Sequence, residues 1–133
     1  MKIVKLLAIV LSLALLLCGC NPTDGEAVQS GDIIEIGEGA KVFDFSIIYE
    51  GVETRYSVKT DREFVGEALI DNGLIGGEIG EFGIYVKTVG DITLDYDTHG
   101  MYWAFYVNGS YAMSGVDTTP ITEGESYSFR AEK

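Results

Sequence analysis

Residues 102–115 read Tyr-Trp-Ala-Phe-Tyr-Val-Asn-Gly-Ser-Tyr-Ala-Met-Ser-Gly. Two runs rich in aromatic and apolar residues flank Asn108-Gly109 in this stretch. Asn-Gly between such runs predicts a two-residue β-hairpin, because a type I′ turn requires a positive φ at both central residues. The turn also fixes the register, so we expect Tyr106 opposite Tyr111 and Val107 opposite Ser110.

The hairpin has two faces because side chains alternate across a strand. One face carries Trp103, Phe105, Val107, Ser110, Ala112 and Ser114, and the other carries Tyr102, Ala104, Tyr106, Tyr111, Met113 and Gly115. We expect the first face to pack in the core. The face with three tyrosines is then either a ligand platform or the second buried side of a central strand, since tyrosine has a flat apolar body with a polar tip.

The first 20 residues have the pattern of a bacterial lipoprotein leader. Lys2 and Lys5 precede an apolar run over residues 6–17, which is too short to span a membrane comfortably. The run ends in Leu17-Cys18-Gly19-Cys20, which resembles a lipobox. This resemblance implies cleavage before Cys20 and a diacylglycerol on its sulfur. An ordinary secreted protein without lipid is the alternative.

The leader predicts where the protein lies. We expect a signal peptide over residues 1–19 and a lipidated, flexible acidic tether over residues 20–40, with a short strand of Ile33, Ile34 and Ile36 near its end. The protein is then held on the extracellular face of the cell membrane by its lipid alone.

Charge and cysteine content exclude several classes of function. The chain has 9 basic and 21 acidic residues, and loss of Lys2 and Lys5 with the leader leaves a net charge of about −14. Nucleic acids and anionic headgroups are therefore excluded as partners. No cysteine follows Cys20, which excludes a disulfide, a cysteine metal site and a cysteine nucleophile within the folded domain.

The rest of the chain predicts one small domain over residues 41–133. Residues 42–49 and 52–59 flank Glu50-Gly51 and predict a second hairpin, with Phe45 opposite Tyr56. Thr60 and Glu63 form a capping box that predicts a helix of about three turns, which ends at Asn72-Gly73.

A loop, a strand and an acidic loop are expected to follow the helix. Residues 74–81 predict the first loop, and residues 83–88 predict the strand, with Tyr85 on the face opposite Ile84 and Val86. Residues 91–100 form the acidic loop before the main hairpin, and residues 126–130 form a last strand. This order predicts an α+β fold of the β-grasp (ubiquitin-like) type, with one helix packed on a mixed or antiparallel sheet of about five strands.

Metal and catalytic sites have few candidate residues. His99 is the only histidine, and we expect it to be solvated in the acidic loop rather than to ligate a metal. Asp95-x-Asp97-x-His99-Gly100 resembles the start of a calcium loop, but Tyr106 stands where an EF-hand needs glutamate, so we predict no metal site. A weak calcium held by Asp91, Asp95 and Asp97 is the alternative. No serine has a partner base, and we therefore do not expect an enzyme.

Several stretches together resemble the transcobalamin-like C-terminal domain (DUF4430-type) of bacterial surface lipoproteins. They are Thr60 with Val65-Gly66-Glu67-Ala68-Leu69, Asn72-Gly73-Leu74-Ile75, Phe82-Gly83-Ile84-Tyr85-Val86, Tyr102-Trp103-Ala104-Phe105-Tyr106-Val107-Asn108-Gly109, Ser114-Gly115-Val116 and Glu123-Gly124-Glu125-Ser126-Tyr127. The resemblance implies a β-grasp domain that covers one face of a corrinoid. In the related animal transport proteins a larger helical domain holds the other face, and we expect no such domain in this chain.

A corrin ring needs flat aromatic area and a few amide partners. The candidate ligand-binding residues are Tyr85, Tyr102, Trp103, Tyr106, Asn108, Tyr111 and Met113. Trp103 joins this site if the two hairpin faces are reversed, and otherwise anchors the core.

Two functions remain. The first is a binder of cobalamin or another corrinoid that requires no cofactor of its own and works with an uptake transporter or a cell-surface partner. The second is an extracellular adhesion or interaction module that binds protein or glycan without a small-molecule ligand.

Overall fold

The structure is a computed structural model that describes residues 31–133. The predicted signal peptide, the lipidation site Cys20 and the first part of the predicted tether lie outside these residues. Within the described range, no helix has both the length and the apolar character needed to cross a bilayer.

Six strands form the larger sheet. They are β1 (Ile34–Gly37), β2 (Lys41–Tyr49), β3 (Val52–Thr60), β7 (Tyr102–Val107), β8 (Ser110–Tyr111) and β9 (Ser126–Glu132). Their order across the sheet is β1-β3-β2-β9-β7-β8. The β1–β3 and β2–β9 pairs are parallel and the other pairs are antiparallel. Strand β1 lies within the range predicted as tether and corresponds to the short strand expected near its end.

Three further strands and two short helices complete the described chain. Strands β4 (Ile75–Gly80), β5 (Gly83–Val89) and β6 (Ile92–Thr93) form a second, antiparallel sheet in that order. Helix α1 spans Val65–Asp71 and helix α2 spans Tyr96–His99. A 3₁₀ turn covers Val116–Thr118.

The core lies on one face of the larger sheet. Alternate side chains of the three adjacent strands β2, β9 and β7 are buried there, and they are Phe43, Phe45, Ile47, Tyr127, Phe129, Trp103 and Phe105. Val89 of β5 and Val65, Ala68 and Leu69 of α1 belong to the same apolar cluster. Helix and small sheet thus cover the inner face of the larger sheet, because an apolar sheet face must be buried against another layer.

The predicted β-grasp fold is wrong, because the described chain is a mostly β sandwich of two sheets. Residues 74–81, predicted as a loop, instead contain β4. Gly77 permits this pairing, since a Cβ there would collide with the carbonyl oxygen of Tyr85 at a β-bulge. The helix starts later than predicted, because Thr60 ends β3 and Phe64 is the N-cap residue. A helix of seven residues covers only part of the sheet.

Both predicted hairpins are confirmed. Glu50 and Gly51 have φ values of 52° and 79°, and Phe45 pairs with Tyr56. Asn108 and Gly109 have φ values of 52° and 81°.

The register at the second turn is also as predicted. Tyr106 pairs with Tyr111 and Val107 with Ser110, but β8 ends at Tyr111. Met113 and Ser114 therefore have no partner in the register between β7 and β8.

Replacing Gly109 with alanine tests the turn. A Cβ at Gly109 would meet no atom within 4 Å, so any penalty arises from the positive φ of the backbone. We expect Gly109→Ala to lower the free energy of unfolding by about 1 kcal/mol. The matched control Gly76→Ala, at a glycine without positive φ and with only the Thr88 Cβ at 4.0 Å, should be neutral within about 0.5 kcal/mol. Urea denaturation gives the free energy of unfolding of both variants. If the two variants were equally stable, the assigned turn would be contradicted.

Candidate ligand-binding cleft

A cleft of about 200 Å³ opens between β5 and the β7–β8 hairpin. Its aromatic lining consists of Tyr85, Tyr102, Trp103, Phe105, Tyr111 and Phe129. Ile84 and Val86 complete the β5 wall, and residues 112 and 114–116 complete the wall that follows β8. Apolar area therefore dominates this site, which is typical of small-molecule sites.

The Tyr85 ring lies at the opening of the cleft. Strand alternation turns Ile84 and Val86 towards the apolar cluster, and the side chain of Tyr85 remains 50% exposed. Tyr111 on the facing hairpin is 58% exposed. Two tyrosine rings on opposite walls are thus available to a ligand without prior unfolding of the core.

Trp103 is a fixed part of the cleft. It is 6% exposed, and its indole N–H donates a hydrogen bond to the carbonyl oxygen of Ile92 at 3.2 Å. The Tyr49 ring lies 6.1 Å from it between centroids. The core assignment of Trp103 is therefore confirmed. Only the small exposed part of its indole is accessible from the cleft.

Asp117 holds the cleft wall together. Its Oδ2 accepts a hydrogen bond from the Ile84 N–H at 3.0 Å, which joins β5 to the 3₁₀ turn. Helix α1 packs against the same residue, since a Cβ on Gly66 would lie 2.7 Å from the Asp117 Cα. The Val65 N–H also donates to the Thr119 carbonyl oxygen at 2.9 Å. Sequence reasoning missed Asp117, because nothing local indicates a partner 33 residues away.

Tyr106 lies on the outer face of the larger sheet and does not line the cleft. Its hydroxyl donates to the Glu132 carboxylate, and this bond raises the pKa of Tyr106 above its usual value. The Arg130 guanidinium lies 4.6 Å from the ring centroid. The Tyr111 ring meets the same ring edge-on at 5.7 Å, so Tyr111 connects the outer face with the cleft.

Tyr102 also lies at this junction. Desolvation is the main cause that raises the pKa of Tyr102, and the nearby Tyr111 adds to it. Its ring centroid is 6.5 Å from that of the exposed Tyr96. Partial desolvation is expected for a ring that lines a cleft from one side.

The two remaining predicted site residues lie apart from the cleft. The Asn108 Oδ1 accepts a hydrogen bond from the Ser126 N–H at 2.9 Å, so this amide ties the turn to β9. Met113 is 99% exposed. The structure thus brings together Tyr85, Tyr102, Trp103 and Tyr111 but not Tyr106, Asn108 and Met113.

Side chains of the acidic loop before β7 make hydrogen bonds within the loop itself. Asp95 caps helix α2 by accepting a hydrogen bond from the Asp97 N–H at 2.9 Å, and His99 Nδ1 accepts one from the Asp95 N–H at 3.0 Å. Among residues 31–133, no group of three histidine, cysteine, aspartate or glutamate side chains has a metal-binding arrangement.

Residues 63–133 match the family described as a domain of unknown function (DUF4430). The chain belongs to this family. It is also similar to solved structures, among them a proposed metal-binding protein from Ruminococcus gnavus. The two are 26% identical with a TM-score of 0.66, over 71% of this chain and 98% of the other. None of the curated proteins matches the chain.

Haptocorrin in complex with Cbi (cobinamide) is a second structural neighbour. The identity is 18% and the TM-score 0.53, over 69% of this chain. The match spans only 25% of the haptocorrin chain. Together with the family match, this neighbour confirms the transcobalamin-like resemblance of the domain.

Asp117→Ala should loosen the cleft wall. Removing a charged acceptor leaves the Ile84 N–H without its partner, and we expect the free energy of unfolding to fall by about 1–2 kcal/mol. Amide hydrogen exchange at Ile84 should accelerate. Asp95→Ala is the matched control, because that carboxylate caps only a local turn. Unchanged Ile84 protection in Asp117→Ala would contradict the assigned role.

Proposed function

We propose that this protein is a surface-anchored lipoprotein that binds a corrinoid, such as cobalamin or cobinamide, for uptake. The aromatic cleft between β5 and the β7–β8 hairpin is the observation that carries this proposal. The haptocorrin likeness supports it, because haptocorrin was solved with cobinamide bound and a quarter of its chain is similar in fold to this domain.

The size of the cleft limits the kind of contact. A site that encloses a drug-sized ligand occupies about 300–1,000 Å³ and buries most of the ligand surface. The cleft has about 200 Å³ and opens to solvent between exposed tyrosines. It would therefore hold one face or one edge of a corrin, and a transporter or cell-surface partner would cover the rest. We expect the affinity of this protein alone to be no tighter than about micromolar.

The proposed role is binding rather than catalysis. The cleft is lined by apolar side chains, tyrosines and Ser114, and among the described residues that line it no histidine or carboxylate stands beside Ser114 as a base. A serine without a base is a weak nucleophile.

A protein-binding or adhesion module is the second candidate. The turn that joins β4 to β5 exposes two large apolar side chains, with Ile79 79% and Phe82 91% exposed. Exposed apolar residues that cluster on one hairpin are typical of contact surfaces with another protein. Such a module would need no small-molecule ligand.

Titration with cobinamide separates the two candidates. We expect wild-type protein to bind it, and the double variant Tyr85→Ala/Tyr111→Ala to bind about tenfold or more weakly, since exposed aromatic contacts are typical hot spots. Both rings are at least half exposed, so the variant should fold. Isothermal calorimetry or the change in corrinoid absorbance gives the affinities.

Tyr96→Ala is the control for this titration. Tyr96 is 57% exposed but does not line the cleft, so its removal should leave binding unchanged. Absence of cobinamide binding at about 1 mM would favour the interaction module. Equal losses in the control and the double variant would remove the cleft from the site.

The proposed anchor is the lipid on Cys20, which places the protein on the extracellular face of the membrane. Two or more acyl chains give stable attachment, whereas one chain is marginal. We therefore expect Cys20→Ala to release the protein into the medium. Mass spectrometry of the wild-type amino terminus checks the modification, and an unmodified Cys20 would show the anchor to be wrong.

A further inference from the structure

The outer face of the larger sheet, opposite the core, carries a second cavity of about 390 Å³. Ser46 of β2 and Ser128 of β9 are neighbours in the strand register and form its floor. The cavity extends between the two hairpin turns, with Gly51 near one end and Gly109 near the other. It shares no lining residue with the aromatic cleft.

Arg130 forms one wall of this outer cavity. Its side chain is exposed, and its guanidinium lies against the Tyr106 ring at 4.6 Å. The Glu132 carboxylate accepts the Tyr106 hydroxyl hydrogen, so the ring under the guanidinium is itself held in place. A guanidinium stacked in this way keeps its planar N–H donors directed to the side, where they fit a carboxylate in bidentate fashion.

Arg55 of β3 stands on the other side of the serine floor. It pairs with Ser46, so the row across the sheet runs Arg55, Ser46, Ser128, Tyr106. Neighbouring strands lie about 4.8 Å apart, which places the Arg55 and Arg130 backbones roughly 10–12 Å apart. Arg55 is not among the residues that line the cavity, so its side chain has to turn towards a ligand bound there.

Neither arginine is engaged by a carboxylate of the described chain, and the same holds for Lys41 and Lys133. Lys59, Arg62 and Lys87 each form an ion pair with a carboxylate. Within residues 31–133, no carboxylate oxygen lies within 4.0 Å of a basic nitrogen of Arg55 or Arg130. Both guanidinium groups are therefore free to contact a carboxylate of a ligand, and any attraction to it is local because the net charge of the chain is negative.

The other lining groups favour a sugar over a simple anion. Two serine hydroxyls, Ser46 and Ser128, and the Glu53 carboxylate line the same cavity. Serine hydroxyls can donate and accept, whereas a carboxylate only accepts. Glu53 would repel an inorganic anion but suits the hydroxyl donors of a sugar ring.

We propose that the outer cavity binds a carboxylate-bearing sugar, such as a uronic acid unit of an acidic polysaccharide. Arg130 and Arg55 hold the carboxylate, and Ser46, Ser128 and Glu53 hydrogen-bond the ring hydroxyls. This site is independent of the corrinoid proposal, because it uses a different face of the domain.

Calorimetric titration of the full-length protein in detergent with hexagalacturonate tests the proposal, with maltohexaose as the neutral sugar. At an ionic strength of about 0.15 M the Debye length is about 8 Å, so the overall negative charge should not prevent a contact at the cavity. We expect binding of the uronate only. Arg130→Gln should weaken it about tenfold or more, because a charge-assisted bidentate contact is lost.

The matched control is Lys133→Gln, which removes the same charge from an exposed terminal residue and should leave uronate binding unchanged. Arg55→Gln should also weaken uronate binding. A loss in both variants cannot be explained by misfolding of Arg130→Gln alone. No uronate binding at about 1 mM, equal binding of maltohexaose, or equal losses in Arg130→Gln and Lys133→Gln would overturn the proposal. Competition by cobinamide would overturn the independence of the two sites.

Discussion

The hydrogen bond from the Ile84 N–H to the Asp117 carboxylate is the contact on which the cleft depends. It joins the first residues of β5 to the turn after β8, and helix α1 packs on that turn through Gly66. The small sheet is thereby fixed over the inner face of the larger one. Both walls of the cleft are fixed before a ligand binds. Binding therefore costs little conformational entropy for ordering them, which is the advantage of a preorganised site.

The sequence predicted the parts of the fold that local chemistry determines. Asn108-Gly109 and Glu50-Gly51 set two hairpins and their registers, because a two-residue turn leaves little choice. The fold class was wrong because pairing between distant segments decided it. Gly76 and Gly77 have the composition of a loop, yet they pair with β5, and Thr60 extends β3 instead of starting the helix. Neither outcome has a local signal.

The sequence predicted residues of the candidate site only where they lie on a strand whose two faces could be assigned by alternation. Tyr85 and Tyr111 line the cleft from facing walls, and Trp103 forms its buried part. Tyr106 was grouped with Tyr111 by strand alternation, but its hydroxyl bonds to Glu132 on the outer face and its ring does not line the cleft. The early end of β8 removes Met113 from the hairpin. The second, outer cavity depends on the parallel β2–β9 pairing, which joins Ser46 to Ser128 and cannot be read from either strand.

The claim that a corrinoid binds in the aromatic cleft is tested most directly by mapping the changes in amide chemical shift of the isotope-labelled protein as cobinamide is added. If the ligand binds in the cleft, the largest shifts are expected at its lining residues, which are Ile84, Tyr85, Val86, Tyr102, Trp103, Phe105, Tyr111, Ala112, Ser114, Gly115, Val116 and Phe129. Asp117→Ala should reduce all of these shifts together, since it releases the β5 wall. Shifts confined to the outer face around Ser128 and Arg130, or to the Ile79–Phe82 turn, would contradict the account.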